Sequence, residues 1–222
     1  MFHRKEKGKE EEEKKEVPRL LITVPTSNVE HTIVATPVVE VSVDALTQQL
    51  EAQLVFNVSP LDYLKAAGVT ELYHFTDARN RDSIMKHGLF SWVSAQTMQG
   101  AVLSSNALSR RLDADRGVAD FVRLCFKPDH PMLYIARRDG RIMNHIWLRV
   151  KLDALKVPGV KFCDTNAAKA YANVRDSPDH IHFDIVLDRQ VTYFQLDQEG
   201  KSWFQAEVLV PRHISPEFLE VI

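Results

Sequence analysis

The chain has 222 residues, of which 45% are hydrophobic and 26% charged, a balance that suits a globular protein with one buried core. A formal net charge of -2 excludes a protein that coats nucleic acid by bulk charge, because sequence-independent phosphate binding needs a strong basic excess; any nucleic-acid contact must be local. No run approaches the roughly 18 apolar residues that a membrane helix needs, and the amino terminus opens on charged residues rather than an apolar signal core, so the expectation is a cytoplasmic chain with no membrane span.

In chain order, residues 1–17 are dominated by Lys, Arg and Glu and are expected to form a disordered tail or frayed helix, since they have no apolar face to offset the entropy of ordering. An extension of unassigned role follows over 18–58. Its Val, Ile and Thr content with Pro25 and Pro37 reads as short strands or an extended arm over 20–43, then a short amphipathic helix over 45–54. The main domain is expected over 59–222. Ser59 and Pro60 signal a helix start and Gly68 its stop, with Leu61 and Leu64 toward the core. Residues 72–75 form a short strand, after which Thr76 or Asp77 caps a helix that runs to about His87 and closes on Gly88. Residues 121–126, 132–136, 146–152 and 206–210 have the apolar, β-branched and aromatic content of strands. The long connections over 91–120 and 164–190 are of the kind that carry function. The expected class is α+β.

Cys125 and Cys163 sit among large apolar residues and read as buried free thiols. Glycine-rich dinucleotide turns, Walker loops and hydrolase elbows are missing from the sequence. His180 and His182 would share one side of a strand, yet no cysteine or carboxylate joins them at zinc-ligand spacing, so no metal is expected. Glu207 is different: it is a carboxylate inside an otherwise apolar strand, costly to bury unless it is paired or faces a cleft. A strand residue on a wet face is the plainer account of Glu207, as a hydrogen-bonded structural imidazole is of His74.

Four blocks change that balance. Residues 72–80 (LYHFTDARN) with Ser83, Ile84, His87, Gly88 and Leu89, then 130–134 (HPMLY), then 162–168 (FCDTNAA), then 205–210 (QAEVLV), in this order, resemble the DarT family of DNA ADP-ribosyltransferase toxins over roughly residues 70–222. The resemblance implies an ADP-ribosyltransferase-like fold, with two small packed sheets, flanking helices and a cleft for NAD. It implies that His74 contacts ribose hydroxyls, that Phe75, Thr76, Ser83, Ser91 and Tyr134 complete the dinucleotide site, and that Glu207 is the catalytic carboxylate. The family also uses an arginine from the connection before the strand at 121–126; Arg111 is the best match here, then Arg110, then Arg116.

These residue types suit the implied chemistry, since cleaving the bond between nicotinamide and ribose develops an oxocarbenium-like centre that a carboxylate stabilises. Tyr134, Trp92 and Phe90 are candidates for stacking on nicotinamide or a flipped base, although core packing is the plainer account of Tyr134. Asp164 and Asn166 either brace the cleft or form simple Asx-turns. The implied acceptor is thymine or guanine in single-stranded DNA, with NAD as co-substrate, and toxicity implies an antitoxin partner. Transfer to RNA or protein, or a non-catalytic interaction module, are the competing readings.

Overall fold

The computed structural model describes residue 42 and residues 58–222 apart from 104; the tail and most of the extension considered above lie outside these residues. The first described helix, α1 (Pro60–Ala66), begins as its sequence directs: the Ser59 hydroxyl accepts the Asp62 N–H, Pro60 occupies the first turn, and Leu64 is buried. Strand β1 (Glu71–Asp77) follows. The Asp77 carboxylate then caps a single 3-10 turn that leads into α2 (Arg81–His87), closed by Gly88 at φ 94°.

The remaining strands are β2 (Leu89–Phe90), β3 (Phe121–Cys125), β4 (His145–Lys151), β5 (Lys161–Cys163), β6 (Val174–Arg175), β7 (Glu207–Pro211), β8 (His213–Ile214) and β9 (Leu219–Val221). Seven of the nine form one antiparallel sheet in the order β6-β5-β7-β3-β1-β4-β9, and β2 pairs with β8 in a separate ribbon. The α+β class holds, but the strands are not divided evenly between two small sheets. Leu124, Val208, Phe162, Leu72, Leu148 and Val150 are buried in the main apolar cluster. Across β3 and β7 the alternate residues Cys125, Glu207 and Leu209 take the opposite face, where Leu209 and Cys163 join a smaller cluster with Val118 and Ala167.

Three further helices lie near the site: α3 (Trp92–Ala95), α4 (Ala107–Asp115) and α5 (Pro131–Arg138). The last corrects the expectation of a strand over 132–136. Pro131 opens the helix, the His130 ring accepts the Met132 N–H, and Leu133 and Ala136, three residues apart, are the buried positions. Apolar content alone does not separate a short strand from a helix; the proline and its cap decide it.

Candidate active site

The two central strands of the sheet are paired at one position only. β1 runs against β4 for all seven of its residues, whereas its pairing with β3 is confined to Tyr73 and Cys125. Beyond that pair the strands part, and the Arg123 carbonyl is taken by the His74 ring, with Nδ1 at 2.8 Å. A cavity opens at this split, lined by residues that include His74, Phe75, Arg123, His130, Asp113 and Glu207. Its volume is about 220 Å³.

A carbonyl oxygen can only accept, so Nδ1 of His74 carries a hydrogen. Burial holds the ring's pKa below its ordinary value, against the opposing effect of that backbone bond. The neutral tautomer therefore leaves Nε2 as an acceptor. Such an atom suits a ligand hydroxyl.

Glu207 opens β7 and is 5% exposed. Its Oε2 accepts the Ala167 N–H at 2.8 Å and lies 3.2 Å from Nη1 of Arg123. Burial pushes the carboxyl above the ordinary carboxylate range; the Arg123 charge and the Ala167 N–H work against this, and Asp113 adds to it. Among the described residues both hydrogen bonds fall on Oε2, leaving Oε1 without a protein partner. Cys125 and Cys163 flank Glu207 on the neighbouring strands. Both are buried free thiols, as expected. Burial raises both, Cys163 to about 12, so neither adds a second negative charge beside the carboxylate.

Arg123 escaped the sequence reading. Its Nη2 pairs with Asp113 of α4, a carboxylate that is 4% exposed, so one guanidinium stands between two buried acids. Burial raises Asp113 as well, against Arg123 and the Trp92 indole. The arginines chosen from sequence lie elsewhere. Arg111 is solvent-exposed and 3.9 Å from Asp115, Arg110 donates to the Ser105 carbonyl, and Arg116 donates to the carbonyls of Ala170 and Ala172. None of the three lines the cavity; among the described residues its arginines are Arg123 and Arg141.

The other selected residues divide. Phe75, Thr76, Ser83 and Ser91 line the cavity. Ser91 is committed to structure, capping α3 and donating to Asp120 at 2.6 Å. Thr76 accepts from Asn80, which also donates to the Val102 carbonyl and accepts its N–H, so Asn80 ties a stretch with cavity-lining Met98, Ala101 and Leu103 to the end of β1. Asn80 stood in the first motif without an assigned role. Tyr134 is 64% exposed on α5 and outside this cavity, whereas Phe90 and Trp92 line it. Asn166 accepts the Ala168 N–H in a local turn, Asp164 accepts the Asn173 N–H across the loop between them, and that loop delivers the Ala167 N–H to Glu207. His180 and His182 are not on a strand: His180 bonds the Asn173 carbonyl, and His182 stacks on Trp203 with centroids 3.7 Å apart.

Comparisons with known proteins give the family and the fold. Residues 73–222 match the family described as ssDNA thymidine ADP-ribosyltransferase, DarT. A DNA ADP-ribosyl transferase-DNA ADP-ribosyl glycohydrolase fusion protein of Thermosipho africanus is 27% identical over 161 residues, covering 68% of this chain and 42% of that protein; the chain thus spans less than half of that relative. Two structures of Thermus sp. 2.9 DarT share the fold, one in complex with NAD+ (TM-score 0.52, 19% identity) and one with ADP-ribosylated ssDNA (0.55, 20%). Each comparison covers 69% of this chain and 81% of the other.

Proposed function

From the premise that this chain belongs to the DarT family of ADP-ribosyltransferases, we propose that it transfers ADP-ribose from NAD to thymine in single-stranded DNA. The observation that carries the proposal is the convergence of His74 and Glu207, from strands on either side of β3, on one cavity at the split in the sheet. The cavity's 220 Å³ is less than the roughly 300 Å³ or more of usual small-molecule sites. It holds the reacting end of the dinucleotide, and the rest lies in the open mouth.

In this reading Nε2 of His74 accepts a ribose hydroxyl, and Oε1 of Glu207 faces the sugar as the bond from its anomeric carbon to nicotinamide breaks. Nicotinamide leaves with the bonding electron pair, the carboxylate stabilises the resulting cationic sugar, and the thymine ring nitrogen attacks the anomeric carbon and releases its proton to water at the open mouth of the cavity. Arg123 favours the ionised form of Glu207 by offsetting part of the burial effect. It is permanently charged, so its work is electrostatic rather than proton transfer.

The family description names thymidine, which favours thymine over guanine as the acceptor base. The Thermosipho relative joins an ADP-ribosyl transferase and an ADP-ribosyl glycohydrolase in one chain. By analogy, this chain acts as a toxin in the cytoplasm, opposed by an antitoxin that removes the modification. Residues 59–222 form the catalytic unit, with 18–58 as an appended segment. The decisive experiment is incubation with labelled NAD and single-stranded oligonucleotides that contain or lack thymine, beside RNA and protein acceptors. Label should enter only the thymine-containing DNA; label on RNA or protein alone refutes the proposed acceptor, and the absence of any NAD-induced rise in thermal midpoint refutes NAD binding.

A further inference from the structure

Beside the catalytic cavity lies a second, wider hollow of about 750 Å³ on the outer side of α5. Tyr134 and Met143 stand in it 64% and 70% exposed, with Trp147 alongside. Its ionised lining is Arg137 and Arg138 against Asp129, a local basic excess in a chain of net charge -2. Arg137 forms no ion pair among the described residues, and Arg138 shares Asp139 at 3.5 Å.

His130 lines both hollows. It is 6% exposed, its Nδ1 accepts the Met132 N–H, and its Nε2 is buried with no hydrogen-bond partner among the described residues. With Nδ1 accepting, the neutral ring carries its hydrogen on Nε2. A buried donor left unpaired costs stability that a ligand acceptor recovers.

We propose that the hollow holds the single-stranded acceptor: Tyr134 stacks on a base flanking the modified one, Arg137 and Arg138 pair with phosphates, and His130 donates its Nε2–H to a carbonyl oxygen of the modified base. This rests on the function proposed above and adds the path of the strand. Aromatic faces bind bases without demanding a sequence, and paired cations track the backbone. Thymine carries a carbonyl on each side of its ring N–H, so a neutral donor beside the reaction centre orients that nitrogen. Burial, with Lys169 and Arg123 nearby, holds His130 at about 4, and the ring is therefore uncharged at neutral pH.

The test uses the full chain, labelled NAD, a long thymine-containing strand and thymidine monophosphate, which has no flanking base. Tyr134→Ala should raise KM for the long strand about tenfold, leaving labelling of the mononucleotide and the NAD-induced thermal shift at wild-type values. Replacing Arg137 and Arg138 together by Glu should flatten the dependence of log KM on log salt by about 1.4, the loss of two single-strand phosphate contacts. His130→Ser keeps a capping oxygen and should lower kcat at saturating strand. If the wild type labels DNA and the Tyr134 and arginine variants match its KM and salt slope, the path is wrong. If NAD stabilises the wild type but no DNA is labelled, the acceptor reading fails and this inference falls with it.

Discussion

Nη1 of Arg123 lies 3.2 Å from Oε2 of Glu207 while Nη2 of the same guanidinium holds Asp113. One cation thus serves two buried acids, and both carboxyls are pushed upward by burial. Removing the cation takes from both acids the largest influence that favours their ionised forms, leaving Glu207 the Ala167 N–H and the Lys169 charge.

Arg123→Gln is therefore expected to move the acid limb of the kcat/KM profile to higher pH, since Glu207 must be ionised to act and loses the charge that favours ionisation. Arg123→Lys should recover part of the displacement. A pH profile that coincides with the wild type would show that Arg123 does not act on Glu207.

Glu207→Gln keeps an oxygen for the Ala167 N–H and removes the charge. Transfer should fall about a hundredfold or more, the usual scale for one transition-state electrostatic group, with the thermal midpoint and NAD-induced shift retained. Single-turnover rates with labelled NAD measure it.

Asn80→Ala removes three hydrogen bonds, to Thr76 Oγ1 and to both backbone groups of Val102. The expected outcome is a loss of about 1 to 3 kcal/mol in denaturant unfolding, with a higher KM for NAD as the cavity wall loosens.

His130 links stability to acid. Its folded-state pKa of about 4 lies below the ordinary 6.5, so between these values the unfolded chain binds more protons and stability falls as pH drops. The slope is at most about 1.4 kcal/mol per pH unit, or on the order of 3 kcal/mol across the window. The difference in unfolding free energy between wild type and His130→Ser, followed from pH 7 to 4 on the scale of that window, should shrink toward the acid end.

Gly88→Ala places a Cβ against the His213 ring and the Ile214 carbonyl at a backbone φ of +94°. Because the contact includes backbone of β8 and the conformation disfavours any side chain, the variant should lose more than about 2 kcal/mol and separate β2 from β8. A normal thermal midpoint would contradict this reading.

Local chemistry carried much of the design. Ser59, Pro60, Asp77 and Gly88 act within a turn of their own positions, so capping and glycine rules by themselves locate α1 and α2 in the chain. A carboxylate inside an apolar strand marked Glu207 by its cost of burial, and the four ordered motifs drew His74 to it. Arg123 left no such mark, because a polar residue alternating with apolar ones on a strand looks like any solvent-facing position. Its partner Glu207 is 84 residues away. Only the tertiary fold, which sets Asp113 of α4 beside Arg123 of β3 and Arg123 beside Glu207 of β7, brings the three together, and only the parting of β1 from β3 opens the cavity they share. Both depend on contacts between segments remote in the chain, which neither propensity nor periodicity encodes.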